Sequence, residues 1–98
     1  SDGLLSELIP DHYELNQNYP NPFNPVTTIK FALKQDGFTT LTVYDMLGRE
    51  VARLVNQEMR AGYHQVVFSD IGKLASGVYI YKLTSGNFNS VKKMMLMK

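Results

Sequence analysis

Four segments of the chain alternate apolar and polar side chains with period two, and that pattern leaves few folds open. In the segment from Val26, Thr27, Ile29, Phe31 and Leu33 share one face, with Thr28, Lys30 and Ala32 on the other. Residues 38–45 place Leu41 and Val43 inward, with Thr40, Thr42 and Tyr44 outward. Residues 63–69 carry His64, Val66 and Phe68 on one face, and residues 78–84 carry Tyr79, Tyr81 and Leu83. Alternation of this kind marks strands with one face buried, and the segments are rich in β-branched and aromatic residues. Turn signals recur about every 8–12 residues and no long helical period appears, which predicts an all-β, antiparallel sandwich of about seven strands. The nine residues expected inside are Ile29, Phe31, Leu41, Val43, Val66, Phe68, Tyr79, Tyr81 and Leu83.

The punctuation between these strands is equally legible. Gln35-Asp36-Gly37 reads as a turn whose glycine supplies positive φ. Asp45-Met46-Leu47-Gly48 is a second turn, and Gly86-Asn87 a tight hairpin signal. Asp70 to Gly77 is a longer loop, and the last strand runs from Phe88 to about Met97. Glu50 to Val55 alternates poorly, so it reads as a strand with a bulge, with a short helix as rival. Residues 56–62 read as a loop.

Before the first alternating strand stands Asn18-Tyr19-Pro20-Asn21-Pro22-Phe23-Asn24-Pro25, which holds three of the four prolines. Proline fixes φ near −65° and removes a donor, and it drives the preceding residue out of the helical region. The stretch is therefore a stiff, kinked strap. Asparagine side chains can bond the backbone of such turns, and at least one of Tyr19 and Phe23 is expected to be a buried anchor. An ordered structural loop and a binding loop both fit. Residues 13–19 read as a weak first strand, and residues 1–12 as an acidic linker or lead-in, with residues 4–9 forming a helical turn or an added strand. Ser1-Asp2-Gly3 looks like a cut made in a longer protein. The folded unit is thus expected over 13–98.

Ninety-eight residues, 44% of them hydrophobic and 19% charged, fit one domain with a modest core. A net charge of +1 argues against a nucleic-acid surface. With no cysteine there is neither a disulfide framework nor thiolate chemistry, which is compatible with export. No apolar run approaches the roughly 18 residues of a membrane span.

Little points to catalysis. His12 and His64 lack the spacing of a zinc pair and read as packed or surface residues. No nucleophile elbow occurs, the glycines are scattered at turns rather than gathered in a phosphate loop, and Asp45 or Asp70 lacks the repeat of a calcium loop. The reading is a non-enzyme with no cofactor and no metal. Tyr44, Tyr63 and Phe38 on outward faces are either cross-strand packing residues or rings that stack on a sugar. Lys92, Lys93 and Lys98 are either a basic patch or guards of an edge strand.

Five motifs in order carry a family resemblance over about residues 17–98. Tyr19-Pro20-Asn21-Pro22-Phe23-Asn24-Pro25 precedes a Thr-Thr-Ile strand. Val43-Tyr44-Asp45-Met46-Leu47-Gly48-Arg49-Glu50-Val51 is a Tyr-Asp-x-x-Gly-Arg hairpin, with Asp45, Gly48 and Arg49 as its marked positions. Gly62-Tyr63-His64 and Leu74-Ala75-Ser76-Gly77-Val78-Tyr79-Ile80-Tyr81 follow, and Lys93-Met94-Met95-Leu96-Met97-Lys98 ends the chain. Together they resemble the type IX secretion system C-terminal sorting domain (type A). The resemblance implies an immunoglobulin-like sandwich fused behind a cargo protein. It implies a parent brought to the periplasm by a signal peptide and directed across the outer membrane by the type IX translocon. It also implies removal by a sortase-like protease within or before residues 1–12, and attachment of the cargo to surface lipopolysaccharide. Under it, Lys92, Lys93, Met94, Met95, Leu96, Met97 and Lys98 are the segment read by the translocon, and the Pro strap, Asp45, Gly48, Arg49, Gly62, Gly77 and Tyr79 are mainly structural. The methionines depart from Val/Ile-rich endings and suggest looser docking of the last strand. The alternatives are an assembly module similar to the hook-capping immunoglobulin-like domain and an ancillary carbohydrate-binding sandwich. Cargo, cleavage site and oligomeric state are open at this level.

Overall fold

The computed structural model describes residues 9–70 and 72–98. Seven strands form: β1 (Glu14–Leu15), β2 (Val26–Leu33), β3 (Gly37–Tyr44), β4 (Glu50–Met59), β5 (Gly62–Ser69), β6 (Gly77–Ser85) and β7 (Phe88–Leu96). They make two antiparallel sheets, one ordered β1-β2-β5 and the other β4-β3-β6-β7. The expectation for residues 4–8 lies outside the described residues.

The two inner faces supply the core that the alternation predicts. Ile29, Phe31 and Leu33 come from β2, Leu41 and Val43 from β3, and Tyr81 and Leu83 from β6, all 2% exposed or less. Phe68 and Tyr79 are buried with them, as are Met94 and Leu96 of β7. Fully burying one such side chain contributes about 1.5–3 kcal/mol, so this layer is the main source of stability. Val66 differs from its expectation. It packs against the core but is only half-buried, because β5 lies at a sheet edge and has a neighbour on one side only.

β4 settles the ambiguity at residues 50–55 in favour of the bulged strand. Leu41 pairs with Val55 and Thr42 with Arg53; Val43 pairs with Ala52 and Tyr44 with Glu50. Leu54 and Val51 are therefore the extra residues of two bulges, which is why the sequence alternates poorly. The strand also runs on through Met59, where a loop was expected. Asn56, Gln57, Glu58 and Met59 pair with Thr40, Thr39, Phe38 and Gly37. Main-chain pairing on an edge strand tolerates polar side chains that face water, and periodicity cannot see it. Thr42 points outward, as the alternation has it, yet is only 5% exposed. It sits on a central strand between Arg53 and Lys82, and long cationic stems shield a small neighbour.

The strap joins the two sheets. The first strand shrinks to Glu14–Leu15, opposite Ala32 and Phe31, after which Tyr19 and Thr28 exchange two 2.9 Å backbone hydrogen bonds. Past Pro20 and Pro22, Phe23 lies beside Leu96 in a parallel bridge. The chain thus leaves the β2 sheet and arrives at the outer edge of β7 within a few residues. Fixed φ at each proline keeps this crossing from collapsing into a helix.

Candidate functional site

Phe23 is the strap's anchor. It is 1% exposed and meets Phe68 edge to face with centroids 5.9 Å apart, whereas Tyr19 is 80% exposed. Either side of it the strap holds the last strand. The Asn21 side-chain oxygen accepts from Met95 N at 2.9 Å, Phe23 N donates to Met95 O at 2.9 Å, and Met97 N donates to Phe23 O at 3.0 Å. One step earlier, Gln17 Nε2 donates to Lys93 O at 2.6 Å. The C-terminal half of β7 is therefore a covered edge, where the sequence suggested one guarded only by lysine.

A buried polar cluster fixes the base of the strap. Asn18 N donates to the Tyr81 hydroxyl at 2.8 Å, and that hydroxyl donates to Asn16 O at 2.7 Å. Asn18 Nδ2 donates to Pro20 O and to Thr27 Oγ1, and Thr27 Oγ1 donates to Pro20 O. Burial pushes the Tyr81 phenol up to about 12, with the Asn18 N–H opposing, so it stays a neutral donor. Sequence reading placed Asn18 in the strap without singling it out. The available signal was its position two residues before a proline, where asparagine stabilises turns.

The terminal residues do not gather into a basic patch. Lys93, Met95 and Met97 are exposed, while Met94 and Leu96 point into the core and Lys92 is half-buried. Lys98 turns to the loop after β5. Its N donates to Ser76 Oγ at 3.0 Å, and its Nζ lies 3.0 Å from Asp70 Oδ2. Asp70 Oδ1 also accepts from Lys73 N and Leu74 N, so this one carboxylate shapes the loop and holds the terminus. Its burial raises its pKa, but Lys98 and the two N–H groups outweigh that and leave it below 3.8. Despite its methionines, β7 is paired with β6 from Gly77↔Leu96 to Ser85↔Phe88 without a break.

The other motif residues have structural work. Asp45 Oδ1 accepts from Leu47 N and Arg49 N, and Oδ2 pairs with Arg49 Nε at 2.8 Å. These contacts, the Arg49 N–H foremost, lower the Asp45 pKa against the opposing effect of burial. Gly48 closes that turn at φ 84° and Gly77 opens β6 at φ 152°, both in the range that favours glycine. Gly62 opens β5, and the Tyr79 hydroxyl donates to Ala75 O at 2.6 Å across the preceding loop.

His12 Nδ1 contacts Asp11 Oδ1 at 2.7 Å and its Nε2 contacts Glu14 Oε1 at 3.0 Å, on the surface. His64 stacks on Phe31 and bonds Arg60 O at 2.8 Å. Among the described residues no three His, Cys, Asp or Glu side chains gather as a metal site requires. Tyr63 lies on the three-stranded sheet, and Phe38 and Tyr44 on the four-stranded one, so these rings form no common platform. No helix among the described residues is long and apolar enough to cross a membrane.

No curated protein matches the chain. A family model described as "Secretion system C-terminal sorting domain" matches residues 17–97, from the residue that bonds Lys93 to the one bonded by Phe23. It favours neither the assembly module nor the carbohydrate-binding sandwich. The chain belongs to the type IX secretion C-terminal sorting domain family, whose members are secretion signals for the cargo fused ahead of them.

Proposed function

We propose that the type IX machinery reads the outer face of the C-terminal strand together with the strap clamped to it. Within Lys92 to Lys98, the residues in contact with the translocon are Lys93, Met95 and Met97, with Lys92 at the margin. Met94 and Leu96 keep the strand docked, and Lys98 keeps the terminus closed on Asp70. The single observation behind this reading is the bonding of Met95 and Met97 to Asn21 and Phe23. It joins the two most distinctive motifs of the chain into one rigid surface.

The same reading takes the parent through the periplasm before it crosses the outer membrane. Residues 1–12 form the lead-in, a sortase-like protease cuts within or before it, and residues 13–98 form the sorting sandwich. No catalytic activity is assigned to the domain itself. The test is export of a reporter fused ahead of the domain in a type IX-competent host. A Lys93→Gln, Met95→Gln double variant keeps the inner face of β7 intact. Its melting temperature is expected to stay close to wild type while the secreted fraction falls sharply. A folded variant that is exported normally would place the signal elsewhere on the sandwich.

A further inference from the structure

Among the described residues the sandwich has four sheet edges, and three of them are protected. β1 is two residues long. β4 is interrupted by two bulges and carries Glu50, Arg53 and Glu58. β7 carries Lys92 and Lys93 and is clamped by the strap. These are the usual devices against edge-to-edge pairing. β5 has none of them. It is eight residues long, Gly-Tyr-His-Gln-Val-Val-Phe-Ser, without a charge or a proline. Its register with β2 is unbroken from Val26↔Ser69 to Leu33↔Gly62.

Which of its backbone groups are open follows from the ladder. Asp70 N donates to Pro25 O at 2.9 Å, which marks the bonded pairs of this antiparallel ladder. Bonded pairs recur every second residue, so His64, Val66 and Phe68 bond β2. Thr28, bonded to Tyr19 on its other side, fits that phase. Tyr63, Gln65, Val67 and Ser69 therefore turn their N–H and C=O groups away from β2. None of these eight groups has a protein partner among the described residues. On the outer face Tyr63 is 66% and Val67 58% exposed.

We propose that β5 pairs antiparallel with β5 of a second copy of this chain, about a two-fold axis at Val66. This register sets Tyr63 of one copy opposite Ser69 of the other, and Gln65 opposite Val67. All eight open groups on each copy are satisfied. The half-buried Val66 side chains meet at the axis on the inner face, and the two three-stranded sheets become one of six strands. An uncharged strand is the complement of itself, whereas self-pairing through β7 would gather four lysines. The contact is isologous and closes at two copies. Eight residues a side is well short of the roughly 20–30 of a standard interface, so the dimer is weak and concentration-dependent.

The test is sedimentation of the 98-residue chain over a concentration series, with hydrogen exchange followed by NMR. Wild type is expected to dimerise, with concentration-dependent protection of the Tyr63, Gln65, Val67 and Ser69 amides. Val67→Pro removes only an N–H that points away from β2, and edge strands accept proline there. It should keep the monomer's fold and weaken the dimer by about tenfold or more, from two lost hydrogen bonds. Should Val67→Pro fail to fold, Val67→Lys keeps the N–H and sets like charges near the axis; its dimer should be weaker and regain strength with salt. A wild type that is monomeric up to about 1 mM, a range covering very weak association, overturns the proposal. So does a dimer that survives both substitutions, or a monomer that instead pairs β5 with an added uncharged peptide.

Discussion

Lys98 Nζ lies 3.0 Å from Asp70 Oδ2, and the Asp70 side chain is 1% exposed. The last residue of the chain is thus the counter-ion of a buried carboxylate. Removing one partner of such a pair leaves the other desolvated and uncompensated. Lys98→Gln should therefore lower the urea midpoint clearly. Lys93→Gln, at an exposed position, should change stability by no more than about 0.5 kcal/mol. Equal midpoints for the two variants would show that Asp70 does not depend on Lys98.

The same pair sets a pH dependence. Asp70 titrates below 3.8 in the folded chain. A carboxylate with a depressed folded pKa contributes stability above its unfolded pKa and loses it as pH falls through the folded value. Wild type should lose stability steeply as pH drops below about 4. Asp70→Asn should be less stable at neutral pH and show a flatter slope in that window. Parallel curves of melting temperature against pH for the two proteins would contradict this.

His12 has the opposite sign. Its hydrogen bonds to Asp11 and Glu14 raise its pKa above 6.5, so any stabilisation is present below 6.5 and fades as pH rises through the folded value. NMR titration should find His12 titrating above 6.5 in wild type, and Asp11→Asn should move it back toward that value.

Tyr81→Phe keeps the ring and removes the oxygen that accepts from Asn18 N and donates to Asn16 O. The buried Asn18 N–H then has no acceptor, at a cost of about 1–3 kcal/mol. Chemical denaturation measures it. A change near zero would mean that water replaces the hydroxyl.

Phe23→Ala empties the site between the strap and Phe68 and should cost about 3–5 kcal/mol. Hydrogen exchange should report more than lost stability. The Met97 amide, which donates to Phe23 O, should exchange disproportionately faster than amides in the β3–β6 ladder. Uniform loss of protection would mean that the strap and β7 do not separate locally.

The fold and the site differed in how far they could be read in the residues. Ile29, Phe31, Leu41, Val43, Tyr81 and Leu83 were legible because a strand's side chains alternate by geometry alone. So were the turns at Asp45–Gly48 and Gly86-Asn87, where backbone conformation selects the residue type. Asn56–Met59 were missed because an edge strand is held by main-chain bonds that leave no hydrophobic trace. The burial of the outward-facing Thr42 was not legible because its cover comes from Arg53 and Lys82 on neighbouring strands.

The sequence by itself determined an all-β sandwich, a proline-stiffened strap with a buried aromatic anchor, and the five ordered motifs that mark the family. All of these depend on interactions within a few residues, or on identity at fixed spacing. Only the tertiary structure decided that the strap clamps Met95 and Met97, that Lys98 answers Asp70, and that among the described residues β5 is the one unguarded edge. Each of those is a meeting of distant segments. Which backbone groups remain unpaired, and which charge finds which partner, is settled only when the two sheets close on each other.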